Sequence, residues 1–386
     1  MHFSHIFKSR INVLSVAFAL FLAFFSLNAA AQALPDTTVK AENHTKIVAE
    51  EAKEKKFDIT AYILHHIADS HGFHMWGEGE NSVSISLPII LWTDNGLVTF
   101  MSGDFHHDSE GKHVVEKNGQ RFVNHHEKIY YASATANEHG EFVEVGAKHK
   151  VANLAPLDFS ITKNVFTLIF SGVILVILFV NVARSYAKRK GKSPKGFQSL
   201  IEPVILFIRD DIAIPNLGAK HEAYMPYLLT IFFFIWFNNI LGMVPFFPGG
   251  ANLTGNINLT FVLAVLTYII TTVKANKHYW KHIFWMPGVP VPMKIFLAPL
   301  EFLGTLTKPV ALMIRLFANI TAGHILVLAL LCLIFVFKSI FIAPVSVVFV
   351  VFISMIELLV GFIQAFIFTV LTALFIGLAV QEHGEH

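Results

Sequence analysis

From residue 161 onward apolar residues gather into long, nearly unbroken runs; between residues 34 and 160 they occur in short alternating or helically spaced groups. Five runs approach or exceed the ~20 residues that carry a helix across a hydrocarbon layer of about 30 Å. They lie near Ile161–Ala183, Tyr224–Phe247, Ile257–Val273, Ala298–Phe337 and Ile340–Val380. Each of the last two runs for some 40 residues, about 60 Å as a continuous helix, so both are expected to be strongly tilted and to form a hairpin around Lys338 and Ser339. After Pro309 the fourth run has no internal proline, and the fifth has Pro344 only near its start. Phe197–Ile214 is apolar with Glu202, Arg209, Asp210 and Asp211 interspersed, the pattern of a helix lying along the membrane surface.

The N-terminal third has a different pattern. Lys8 and Arg10, the apolar stretch Ile11–Leu27 and the small residues around Ala29–Ala33 form a secretory signal over 1–33. Residues 34–156 are polar. A charged, helix-favouring run covers Lys40–Lys56, and Phe57–His74 has apolar residues at helical spacing. Ser82–Met101 reads as a hairpin turning at Thr93-Asp94-Asn95-Gly96, and Lys112–Ser133 as a second turning at Lys117-Asn118-Gly119. The expected architecture is an all-α polytopic membrane protein with five spans, carrying a small α+β extracytoplasmic domain. Its expected domains are a signal peptide 1–33, a His-rich extension 34–156 and a membrane domain 157–386.

Composition narrows the function classes. Only 15% of residues are charged against 54% hydrophobic, too few charges for an ordinary soluble domain. A net charge of +2 excludes a strongly basic nucleic-acid binder. The single cysteine, Cys332, lies in an apolar run, which excludes disulfide frameworks and cysteine metal sites. The extension holds 12 of the 20 histidines, but their spacing fits a solvated histidine-rich surface better than a metal site. No cofactor is expected. Arg184, Lys188, Arg189, Lys190, Lys192 and Lys195 follow the first span, and Lys274, Lys277, Lys281 and Lys294 lie between the third and fourth. Positive residues favour the cytoplasmic side, so the N-terminal domain is expected outside, with Gln381–His386 in the cytoplasm of a cell inner membrane.

Polar residues in the fourth run are ordered. Glu301, Lys308, Arg315 and Asn319 are separated by seven, seven and four residues and fall in a stripe about 40° wide. His324, nine residues past Arg315, turns about 180° to the other side. Glu357 and Gln364 share a face of the fifth run. Arg315 is a fixed positive charge, because a guanidinium stays protonated at physiological pH. His324 and Glu357 can titrate near neutrality and suit a proton relay along a water-lined path, distinct from the arginine face. Such groups are costly in lipid and mark ion pathways. A haem or quinone carrier is disfavoured, since His324 is the one histidine in the five runs. The alternative is a stand-alone ion-coupled secondary transporter, although repeat halves and glycine-broken helix pairs are not evident.

Arg315-Leu316-Phe317-Ala318-Asn319-Ile320-Thr321-Ala322-Gly323-His324, preceded by Lys308-Pro309-Val310, closely resembles the signature helix of subunit a of F-type ATP synthases. Gln364–Thr372 resembles that family's last helix, and Asn256-Ile257-Asn258-Leu259-Thr260 the start of its third span. The resemblance covers roughly 157–386. It implies a non-catalytic, ion-translocating subunit in which Arg315 faces a ring of c subunits, engages the ring carboxylate and blocks leakage between two offset half-channels. It also implies contact with the subunit b peripheral stalk, with protons (or Na⁺) as the ion and the lipid bilayer as solvent. Asn319 and Gln364 match positions near the arginine, His324 and Glu357 the acid–histidine pair of the extracytoplasmic half-channel, and Glu301 and Lys308 polar positions toward the cytoplasmic end. Asn258 is assigned to the path on the same basis. In many bacterial members the acid stands on the fourth run and the histidine on the fifth; here they are exchanged. Gly242 occupies a place where some members carry an acid. With no G-x-x-x-x-G-K-[ST] run in the chain, nucleotide chemistry belongs to partner subunits.

Overall fold

A computed structural model describes residues 59–76, 83–106, 108–144, 151–189, 192–244, 246–337 and 341–380. The predicted signal segment and the Lys40–Lys56 helix lie outside the described residues, as does the Lys338–Ser339 turn. The chain divides into two compact units: one contains residues 70–161, the other 57–69 together with 162–386.

Among the described residues the smaller unit is built from eight short strands. β1 (Gly72–Trp76) pairs antiparallel with β2 (Val83–Ser86). β3 (Pro88–Thr93) lies between β4 (Gly96–Met101) and β8 (Leu157–Asp158), and β6 (Gln120–His125) between β5 (Val115–Lys117) and β7 (Lys128–Tyr131). Alternation places Ile89, Leu91, Val98 and Phe100 inward, where they meet Phe105, Val115, Phe122 and Ile129 in one core. Both expected hairpins are present. Asn118 and Gly119 have φ of 52° and 72°, the left-handed pair that a two-residue hairpin loop demands. A third hairpin was not expected. It turns on His126 and Glu127, at φ 50° and 61°, residue types that carry no turn signal.

The larger unit is helical. α1 (Ile59–Ile67) ends well short of the expected His74, because Gly72 already pairs with Ser86 in β1. Just beyond α1, Asp69 turns to the start of α2 (Lys163–Lys188), accepting from Thr162 Oγ1 at 3.0 Å and from the Asn164 N–H at 3.1 Å. Lys163 Nζ donates to the His66 carbonyl at 2.9 Å, so α1 and α2 satisfy each other's open ends. α3 (Phe197–Phe207) continues through a π-helical turn at Ile208–Ala213 into α4 (Ile214–Leu217), and a 3₁₀ turn leads to α5 (His221–Met243). The predicted surface helix is therefore part of a longer run. One face of it is covered by protein, since Ile201, Ile208 and Ile212 are buried in the main core with Leu228, Phe232 and Ile235 of α5.

α6 (Ile257–Lys274) is N-capped by Asn256, whose side chain accepts from the Asn258 N–H at 2.9 Å; α7 (Lys277–Phe284) is capped by Asn276. α8 (Val291–Phe337) and α9 (Ile342–Val380) are the two long helices, of 47 and 39 residues. α8 starts seven residues before the expected Ala298 and carries Pro299 and Pro309 within it. α9 packs against both α8 and α5, and α6 packs against α8. The last carbonyls of α9 are tied down: Lys220 Nζ donates to Val380 O at 2.8 Å and the Asn276 N–H to Ala379 O at 2.9 Å. Among the described residues five helical segments are long and apolar enough to cross a membrane: Lys163–Lys188, Phe197–Met243, Ile257–Lys274, Val291–Ile334 and Ile342–Val380. The result is the expected polytopic helical protein with a small α+β N-terminal region.

Candidate ion-path site

The face that α8 turns inward follows from the i, i+4 rule: Leu312, Leu316 and Ile320 are buried in the core with Ala365 and Phe368 of α9. His324 is the next residue in that row. Its Nδ1 lies 2.6 Å from Glu357 Oε1 on α9, and its Nε2 lies 3.3 Å from the Gly242 carbonyl at the end of α5. Glu357 is buried and His324 half-buried. A carbonyl oxygen can only accept, so Nε2 is the donor in its contact with Gly242, which leaves Nδ1 facing the carboxylate.

The close approach depends on Gly323. A Cβ there would stand 3.0 Å from Glu357 Oε1 and 3.1 Å from its Cδ. A second polar contact seals α5 to α9 nearby: Asn239 Nδ2 donates to Gly361 O at 3.0 Å, and Thr254 Oγ1 donates to Asn239 Oδ1 at 2.5 Å. Gly361 is as tightly approached, with a Cβ there 3.1 Å from that of Asn239.

Arg315 stands apart from all of this. It is exposed on the outward side of α8, as is Asn319 one turn later, with the small residues Ala311, Ala318 and Ala322 around them. Among the described residues it has no ion-pair partner. Glu357 is thus His324's partner, not the arginine's. Along the helix, Arg315 is nine residues from His324 and seven from Lys308, roughly 13 Å and 10 Å at 1.5 Å per residue. Lys308 is half-buried, with Nζ 5.7 Å above the Phe375 ring. It lines a narrow pocket of about 20 Å³ with Thr267, Thr271, Tyr279, Thr305 and Phe375. Thr267 Oγ1 also meets Tyr227 Oη at 3.1 Å. Tyr279, outside the spans, has its phenol pushed up by burial and by the nearby Tyr268 and Glu301. Glu301 is half-buried, Gln364 buried on α9, and Asn258 exposed at the start of α6.

A family model described as ATP synthase A chain matches residues 165–377, more than half of the chain. The chain belongs to the ATP synthase subunit a family. An ATP synthase subunit a of Chloroherpeton thalassium is 47% identical over 234 residues, 59% of this chain and 69% of that protein. One of Pelodictyon phaeoclathratiforme is 45% identical over 261 residues, covering 65% and 75%. One of Anaeromyxobacter is 40% identical over 257 residues, covering 64% and 61%. Residues 62–159 match a domain of unknown function. Membership in the subunit a family carries ATP synthesis and proton transport as the role of a multi-pass membrane protein, and it favours a subunit of a complex over a stand-alone transporter.

Sequence reasoning placed Arg315 and His324 on opposite sides of one helix, and that is their arrangement. It marked Gly242 only as a departure from the family pattern and Gly323 only as part of the signature stretch, and it did not single out Asn239 or Thr254. The Asn239–Thr254 contact joins residues on either side of a loop, which periodicity cannot align.

Proposed function

We propose that the chain conducts protons in the membrane sector of an ATP synthase, without catalytic chemistry of its own, through two offset aqueous half-channels separated by Arg315. The observation that carries this reading is the division of α8. A titratable pair, His324 and Glu357, is held at 2.6 Å on the inward side, while Arg315 stands exposed and unpaired among the described residues on the outward side. A guanidinium on an exposed helix face flanked by alanines suits a moving carboxylate partner, and we assign that partner to a ring of c subunits.

A proton enters from the extracytoplasmic side, passes through the His324–Glu357 pair and neutralises a ring carboxylate. Beside Arg315 the ionised carboxylate is favoured, because an adjacent positive charge lowers its affinity for a proton. The proton therefore leaves on the other side, toward Glu301 and Lys308, the latter sharing a narrow pocket with Thr267, Thr271 and Thr305. Asn319 extends the outward face, and Gln364 and Asn258 line the path. Each proton crossing 100 mV releases about 2.3 kcal/mol, so several must be coupled to each ATP. In this reading 1–33 is a signal peptide, the extension 34–156 lies outside the cytoplasm, the membrane domain 157–386 ends inside the cell, and subunit b is a further partner. The basic residues after the first and third spans support that orientation.

The test is Arg315→Ala in membrane vesicles carrying the assembled complex. ATP-driven proton pumping is expected to disappear, with a raised passive leak. Normal coupled pumping would overturn the assignment of Arg315.

A further inference from the structure

An antiparallel sheet with one face on a core turns polar residues outward. The β4–β3–β8 sheet does not. Its inner face carries Ile89, Leu91, Val98 and Phe100. On its outer face the register sets Trp92 directly opposite both Leu97 and Leu157, giving one row across all three strands. These side chains are 56%, 54% and 51% exposed, and Met101 and Phe159 on the same face are 46% and 45% exposed. Among the described residues, the outward positions of these three strands hold no charged side chain. A flat apolar row of this kind on a solvated sheet marks an interaction surface.

The covalent chain argues for the occupant. β8 is the last described strand before the first membrane span: Thr162, the N-cap of α2, comes five positions after Leu157. Fully extended, five residues reach at most about 17 Å. Leu157 and Phe159 thus cannot leave the neighbourhood of the lipid headgroups, whichever way the domain turns. Trp and Phe beside aliphatic residues are the side chains that favour the membrane–water interface, where an apolar body is covered and an indole N–H stays wet. We propose that the outer face of the β4–β3–β8 sheet seats on the bilayer interface, with Trp92, Leu97 and Leu157 inserted at headgroup level, so that the extension is a membrane-resting domain. The inference needs α2 to span the membrane but is independent of proton conduction.

The experiment uses the full chain with Cys332→Ala, reconstituted in phosphatidylcholine vesicles. A nitroxide spin label is attached at Leu97→Cys or, as a solvent control, at Lys128→Cys, an exposed site on β7. The readout is accessibility to oxygen, which partitions into lipid, relative to a water-soluble nickel chelate. The ratio at Leu97 is expected to exceed that at Lys128 at least about threefold, as for a side chain inserted among headgroups. Equal ratios would overturn the proposal. Protection of Leu97 from both reagents would overturn it too, pointing to protein, such as residues 1–58 or a second copy, as the cover. Trp92→Asp with the label retained at Leu97 should bring its ratio toward the control, and an unchanged ratio would again count against insertion.

Discussion

Replacing Gly323 by alanine adds one methyl group at the point where α8 and the Glu357 side chain come closest. In an ordinary helix the change stabilises by about 0.5–1 kcal/mol, because glycine loses more backbone freedom. Here the new Cβ would stand 3.0 Å from Glu357 Oε1, 3.1 Å from Cδ and 3.3 Å from Cγ. Ordinary contacts of this kind sit near 3.5–4.0 Å, so the carboxylate must withdraw from α8 by about 0.5 Å or more. His324 is the neighbouring residue on the same helix, so withdrawal lengthens the 2.6 Å Nδ1–Oε1 contact toward the outer limit of a hydrogen bond. A bond to a charged group contributes roughly 1.5–3 kcal/mol, and losing about half of it, about 1 kcal/mol, corresponds to about fivefold in rate. The assay is ATP-driven pumping by vesicles, with assembly checked in parallel. Gly323→Ala should assemble and pump more slowly. Adding Glu357→Asp, one methylene shorter, should recover part of the rate. Full pumping, or a double variant worse than either single one, would refute the steric argument.

Three other outcomes follow from particular contacts. A Cβ at Gly377 would lie 2.1 Å from the Asn216 carbonyl oxygen, a backbone atom that cannot rotate away. Gly377→Ala should therefore destabilise the membrane unit by ~1–3 kcal/mol, read as a lower midpoint of thermal aggregation in detergent. In the extension, burial alone would lower the pKa of His71, but Asp158 at 3.5 Å and Glu127 at 3.9 Å outweigh it and raise it to about 9. A raised folded pKa stabilises fully below the unfolded value near 6.5 and is lost as pH rises through about 9; two and a half units correspond to about 3 kcal/mol at most. Pulse proteolysis of the extension in urea should show greater resistance at pH 6 than at pH 10, a difference that His71→Gln removes. Finally, α1 docks through Ile63 onto Leu328 and Cys332, which is 1% exposed. Ile63→Ala should cost about 2 kcal/mol and speed thiol labelling of Cys332 some 30-fold, and unchanged labelling would mean that α1 does not cover it.

The membrane helices were legible because lipid leaves so few options. Backbone groups must pair within the segment, so an apolar run of sufficient length is a helix. The polar stripe was legible for a related reason: Arg315 and His324 lie on one continuous helix, where spacing converts directly into angle. What escaped was whatever depends on meeting between segments. The π-helical turn at Ile208–Ala213 keeps Arg209, Asp210 and Asp211 beside buried isoleucines, a sequence that reads equally well as a surface helix. The His126–Glu127 turn holds two residues in left-handed backbone with no glycine or asparagine to announce it. There the Glu127 carboxylate lies 3.4 Å from the His71 backbone nitrogen, so a contact made on folding accompanies a turn that local preference would not choose.

The histidine on α8, the acid on α9 and the bare glycine at 242 form one arrangement. His324 stands on α8, and its ring reaches past Glu357 to the Gly242 carbonyl. A Cβ at 242 would already lie 3.9 Å from the ring and 3.2 Å from Ala251 O, so an acidic side chain there would compete with the imidazole for the same space. Once the ring occupies that volume, the carboxylate must come from across the helix pair, and position 357 on α9 supplies it. Gly323 then has to stay small so that the carboxylate can come close. The contact between base and acid is the same whichever helix carries each, and the small residues at 242 and 323 are what leave room for the ring and for the carboxylate.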